Sequence, residues 1–180
     1  MRFVPILLFT LVCWIVFAID SFLFHGNLVQ YGIVPRHLSS LPGIFWAPFL
    51  HASLHHLEAN TVPLLVLGGI ICARGGSEFA IATVGGILVG GGLTWLVGRE
   101  EVHVGASGLI FCYFGYLTAL AYFRRSLGTL AVSLVCLVGY GGMLRGVLPT
   151  SRHVSWEGHA AGLVAGISLA GMNSTGRKKE

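Results

Sequence analysis

Six apolar stretches parted by short polar turns constrain this chain more than any other feature: about Phe3 to Phe24, Phe49 to Cys72, Phe79 to Val97, Gly105 to Phe123, Leu127 to Leu148 and Gly158 to Met172. A membrane-spanning helix needs roughly 20 mostly apolar residues, so six spans and their turns use up a chain of 180 residues. The expected fold is an all-α membrane protein, a single six-transmembrane-helix bundle over residues 1–180 with no separate soluble domain. Only 10% of residues are charged and 54% are hydrophobic, whereas soluble domains carry about a quarter charged. Membrane lipid is therefore the main partner of the surface. A net charge of +4 could point to nucleic acid, but the basic residues stand singly or in short clusters beside apolar runs. That distribution fits membrane topology and no nucleic-acid partner.

Arg2 followed by an apolar run to Ile19 imitates a signal peptide. No small-x-small cleavage site follows and the run continues to Phe24, so it reads as an uncleaved first span. An even number of spans puts both termini on one side. With the termini cytoplasmic, Arg2, Arg74, Arg124, Arg125, Arg177, Lys178 and Lys179 lie inside, against Arg36, Arg99, Arg145 and Arg152 outside, as the positive-inside rule prefers. The long connection from His25 to Pro48 is too apolar for a solvated loop and is expected to lie partly in the interface with Trp46 as an anchor. The tail from Gly176 to Glu180 reads as a flexible basic end. Cys13, Cys72, Cys112 and Cys136 lie singly in or at the ends of apolar segments and read as packing residues.

Polar groups at membrane depth need a partner or a wet cavity, and those without a structural task mark function. On this topology the second, fourth and sixth stretches begin on the outer side. His51, His55, His56, Glu58 and Asn60, then Ser107, then Glu157 and His159 therefore share one depth. Ser107 lies in Gly105-Ala106-Ser107-Gly108, where unpaired helix N-terminal amides favour negative charge. His159 lies in Gly158-His159-Ala160-Ala161-Gly162, whose small residues let the helix come close enough for imidazole to reach the serine hydroxyl and act as its base. His56 and Asn60, four apart, share a helix face and could supply donors to an oxyanion. Phe111, four after Ser107, could pack on His159. Gly158, Gly162 and Gly166 form a close-packing stripe, and Gly105 and Gly108 do the same for the fourth stretch. His51 and His55 have the spacing of a metal pair, but no ligand completes it on that face, so no metal and no cofactor is expected. Glu157 lies about 200° round the helix from His159, which suggests a dyad rather than a triad.

Those residues resemble the rhomboid family of intramembrane serine proteases: His56-x3-Asn60, then Gly105-Ala106-Ser107-Gly108, then His159-x2-Gly162-x3-Gly166, in that order and on the second, fourth and sixth stretches. The resemblance implies the minimal rhomboid core over nearly the whole chain. It also implies Ser107 as nucleophile, His159 as base and then acid, Asn60 and His56 on the oxyanion, and Phe111 packing on the histidine. The implied substrate is a transmembrane protein cleaved near the outer face, and the expected location is a bacterial inner (plasma) membrane. A second reading is a catalytically inactive rhomboid-like protein that binds or chaperones transmembrane clients. The chain lacks the family's Trp-Arg pair in the first loop, and Cys72, followed by Arg74, stands where many members have a glutamate.

Overall fold

The computed structural model describes residues 1–150 and 154–176. Arg152, the middle of the Pro149–Glu157 connection, Arg177, Lys178, Lys179 and Glu180 lie outside the described residues. The described chain is helical, and its one isolated extended pairing is an antiparallel bridge between Ile33 and His103.

Helix α1 (Val4–Ile19) has a proline in its first turn and runs on as a π-turn, Asp20–Phe24, that ends at His25 in the left-handed region. The connection to Phe49 is built of 3-10 turns and one short helix, α2 (Gly43–Trp46), with Trp46 exposed. Helix α3 (Leu54–Arg74) starts at Ser53, whose side chain accepts the His56 amide, so the second helix begins later than its apolar run at Phe49. It stops at Gly75, whose φ of +144° suits glycine. Helices α4 (Gly76–Gly85) and α5 (Gly91–Val97) form one rod joined by a π-turn, Gly86–Gly90. Helix α6 (Ser107–Arg124) ends at Arg125 with positive φ, and α7 (Leu127–Tyr140) opens on a capping box from Ser126 and Thr129. The α-helix expected to reach Leu148 gives way at Gly141 to a 3-10 turn, Gly141–Val147, where three glycines weaken helix propensity. Helix α8 (Trp156–Gly176) exceeds its expected bounds at both ends.

Among the described residues, four segments are long and apolar enough to cross a membrane: Val4–Phe24, Leu54–Arg74, Gly76–Val97 and Leu127–Val147. Helices α6 and α8, expected as spans, are not among them. Both carry hydroxyl and amide side chains bonded inside the protein, such as Tyr113 to Thr83 and Asn173 to Tyr116. They also occupy the centre. Every residue of α6 from Leu109 to Leu117 is buried, while α1 and α7 expose apolar faces such as Leu7, Leu8, Leu11 and Leu134, Val135, Val138. This is the arrangement lipid demands, with apolar side chains outward and polar ones satisfied within.

The two central helices touch backbone to backbone. A Cβ at Gly162 would run into the Gly108 carbonyl, and one at Gly166 into the Cys112 carbonyl. The stripe read in the sequence is therefore a contact face, and it brings the first turns of α6 and α8 side by side. At the far end of these helices Glu78, 1% exposed, binds Arg74 at 2.9 Å, Arg124 at 2.7 Å and the Tyr116 hydroxyl at 3.3 Å. Cys72, where the resemblance implies a glutamate, is a buried core residue, and the buried carboxylate at this end of the helices is Glu78 of α4.

Candidate active site

Ser107 is the first residue of α6. The N-cap position belongs to Ala106, with no side-chain cap bond, so the serine hydroxyl is not used in ending the helix. It lies 2.8 Å from Nε2 of His159. The other ring nitrogen, Nδ1, is 2.9 Å from the carbonyl oxygen of Gly146. A carbonyl only accepts, so Nδ1 carries the proton and the lone pair of Nε2 faces the serine hydroxyl. Phe111 stacks on the imidazole, with ring centroids 4.3 Å apart and planes 12° from parallel. Both dyad candidates are half-buried.

The approach to Ser107 is held from two sides. The Gly105 amide donates to the Ala47 carbonyl at 2.8 Å, and the Ala106 amide to His51 Nε2 at 3.3 Å. Gly105 has φ +112° and a Cβ there would lie 2.5 Å from His56 Cε1 and 3.5 Å from Asn60 Nδ2. Only glycine meets both the backbone angle and the space. His56 and Asn60 therefore face the turn that leads into Ser107. Asn60 is 6% exposed and its Nδ2 has no hydrogen-bond partner among the described residues. A buried donor left without a partner costs about 1–3 kcal/mol. Beside Ser107 a cavity of about 50 Å³ is lined in part by Gly90, Thr94, His103, Gly108 and Gly158.

The structure thus brings Ser107, His159, Phe111, His56 and Asn60 together, with Gly105, Gly108 and Gly162 at the contacts and Gly166 a turn further along. His55 and Glu58 are exposed. His51, weighed as half of a metal pair, instead accepts the amide of Ala106. Glu157 is buried and lies 3.6 Å from Arg99. Sequence reasoning missed Gly146, which acts through its carbonyl. A Cβ there would stand 3.0 Å from His159 Nδ1 and 3.1 Å from Phe111, so the residue must be small.

A family description, Rhomboid domain, matches residues 38–175. Among curated proteins, an uncharacterized protein of Mycobacterium tuberculosis is 40% identical over 183 residues, covering 97% of this chain and 76% of its own length. A Mycobacterium bovis protein, also named uncharacterized, matches to the same extent. One from Mycobacterium leprae is 38% identical over 185 residues, covering 98% of this chain and 73% of its own. Fold and family match together define a helical integral membrane protein of an intramembrane-protease type. The chain belongs to the rhomboid family.

Proposed function

We propose that this protein is an intramembrane serine endopeptidase acting on transmembrane protein substrates. One observation carries the reading: the Ser107 hydroxyl lies 2.8 Å from an imidazole nitrogen whose ring partner is fixed as a donor to Gly146. A serine hydroxyl is a weak nucleophile near neutrality and needs such a base. Ser107 Oγ attacks the scissile carbonyl carbon while its proton passes to His159 Nε2. The imidazolium then gives that proton to the leaving amine as the C–N bond breaks, and an acyl-enzyme remains on Ser107. Water, deprotonated by the same nitrogen, releases it.

The tetrahedral oxyanion would meet the first-turn amide of α6 together with His56 and Asn60. Asn60 Nδ2 suits that role because it is buried, aimed at the Gly105 turn and without a hydrogen-bond partner among the described residues. In this reading α6 and α8 complete six spans over residues 1–180, both termini are cytoplasmic, and the site opens toward the outer face of a bacterial inner (plasma) membrane. No metal or cofactor takes part.

The test is incubation of the purified protein in detergent with a generic transmembrane substrate, beside Ser107→Ala, with a fluorophosphonate probe to identify the labelled residue. Cleavage and labelling that vanish in Ser107→Ala are expected. Cleavage that persists undiminished in that variant would refute the proposal.

A further inference from the structure

The serine–histidine pair has a second pair upstream of it. His103 stands four residues before Ser107 and Ser155 four before His159, and these two are bonded as well, with His103 Nδ1 2.5 Å from Ser155 Oγ. The roles are exchanged, histidine on the serine's segment and serine on the histidine's. Neighbours fix the polarity of this bond. His103 Nε2 lies 3.0 Å from the Arg99 carbonyl, which only accepts, so Nε2 carries the proton and Nδ1 is a bare acceptor. The Ser155 hydroxyl must then donate to His103. Its oxygen is left to accept the Gly158 amide at 3.2 Å, while the Ser155 carbonyl accepts the His159 amide at 3.1 Å. Ser155 thereby caps the first turn of α8.

His103 is itself immobilised. It is 4% exposed, and its main chain pairs with Ile33 in both directions, at 2.8 and 3.0 Å. Arg99 joins the same two segments through Val154 O at 2.7 Å and Glu157 at 3.6 Å. We propose that His103 is a positioning residue: by holding Ser155 it fixes the first turn of α8 against the segment leading into α6, and so sets the reach of His159 to Ser107. The glycine contacts lock the helices further down, but first-turn amides have no intrahelical partners and helix ends open most easily. A misplacement near 1 Å can cost a factor on the order of 100 in rate.

This inference rests on the serine–histidine reading above, and the experiment separates the two. The full chain in detergent is labelled with a fluorophosphonate probe, and the maximal labelling rate and half-saturating concentration are measured. His103→Phe keeps the ring's bulk without its nitrogens, Ser155→Ala removes the hydroxyl, and His103→Asn can keep an acceptor near the Nδ1 position. The maximal rate should fall at least about 10-fold in His103→Phe and in Ser155→Ala at unchanged half-saturation. The double variant should be no slower than either single, and His103→Asn should recover most of the loss. Amide hydrogen exchange over 155–163 should quicken in His103→Phe, a readout that needs no activity. Unchanged exchange, additive losses, or a His103→Asn rate as low as His103→Phe would overturn the inference. A wild-type protein that takes no label overturns the serine–histidine reading and this inference with it. A labelled wild type with an equally fast His103→Phe overturns the inference alone.

Discussion

At the end of the bundle that holds Ser107, the buried polar groups include hydroxyls, imidazoles, an amide and one carboxylate, Glu157, and Asn60 Nδ2 is a donor without a hydrogen-bond partner among the described residues. At the opposite end a carboxylate, Glu78, has both oxygens bonded, to Arg74 and Tyr116 on one side and to Arg124 on the other, joining α3, α4 and α6, with α8 attached through Asn173 on Tyr116. There Arg124 Nε and Nη2 have no hydrogen-bond partner among the described residues, beside a carboxylate already engaged. The same helices thus run from an ionic knot whose carboxylate is fully engaged to a more open cluster. A closed network stabilises one arrangement. An unsatisfied donor costs stability and is useful where charge develops later. The division gives one end stability and the other chemistry.

The largest effects are expected at the dyad. Ser107→Ala and His159→Ala should each lower cleavage by about 10⁴-fold or more, and the double variant should be no worse, because nucleophile and base act as one unit. Neither change should move the melting temperature in detergent by much. Near-normal cleavage in either would leave the two ends without different tasks.

The converse variant is Glu78→Ala. Taking one partner from a buried ion pair costs about 3–5 kcal/mol, and here two guanidinium groups would be left facing each other. Unfolding in denaturing detergent should shift by that order, while kcat of the surviving folded fraction stays within a few-fold. A variant of normal stability and low kcat would show the ends to be coupled through α6 and α8.

Which parts of this division the sequence reveals follows from what a sequence encodes. Ser107, His159, His56 and Asn60 stand out because a polar side chain in an apolar run is an exception that needs a reason. The glycine stripe is legible for the same reason, since small residues four apart define a face. Gly146 was invisible because its function resides in a carbonyl that every residue has. The partner of His51, the Ala106 amide, is not legible because it lies 55 positions away. Glu78 is legible only through its spacing, four residues after Arg74, which suits an ion pair across the Gly75 turn. The span count is blurred at α6 and α8 because central helices hold the polar groups that lipid-facing ones cannot.

Asn60→Ala should have a smaller effect, confined to the site end. Oxyanion donors are worth roughly 100 to 1,000-fold in turnover, and among the described residues Asn60 Nδ2 has no hydrogen bond to lose. Its removal should lower kcat by that factor with little change in KM and a melting temperature equal to or above that of the wild type. His55→Ala, on an exposed position of the same helix, should do much less. A melting temperature that falls while kcat holds would return Asn60 to a structural role and leave the oxyanion to His56 and the α6 amide.

The smallest effect expected lies in the loops over the site, where His37 Nε2 meets Glu100 at 3.0 Å with both side chains more than half exposed. The hydrogen bond from His37, then its charge and that of Arg36, hold the Glu100 carboxyl below the usual carboxylate range. A depressed carboxylate pKa adds stability that is present above the unfolded value and fades as pH falls through the folded one. Water and salt screen an exposed pair, so this contribution is small. Glu100→Gln should leave kcat unchanged, lower the melting temperature only at the edge of detection near neutrality, and lose even that difference at acid pH or in 1 M salt, where the Debye length is about 3 Å. The Glu78 knot, buried from solvent, should keep its contribution in the same salt. If Glu100→Gln instead destabilised the protein as strongly as Glu78→Ala, and did so in high salt, an exposed pair at the site end would anchor the fold as firmly as the buried knot and the contrast between the two ends would fail.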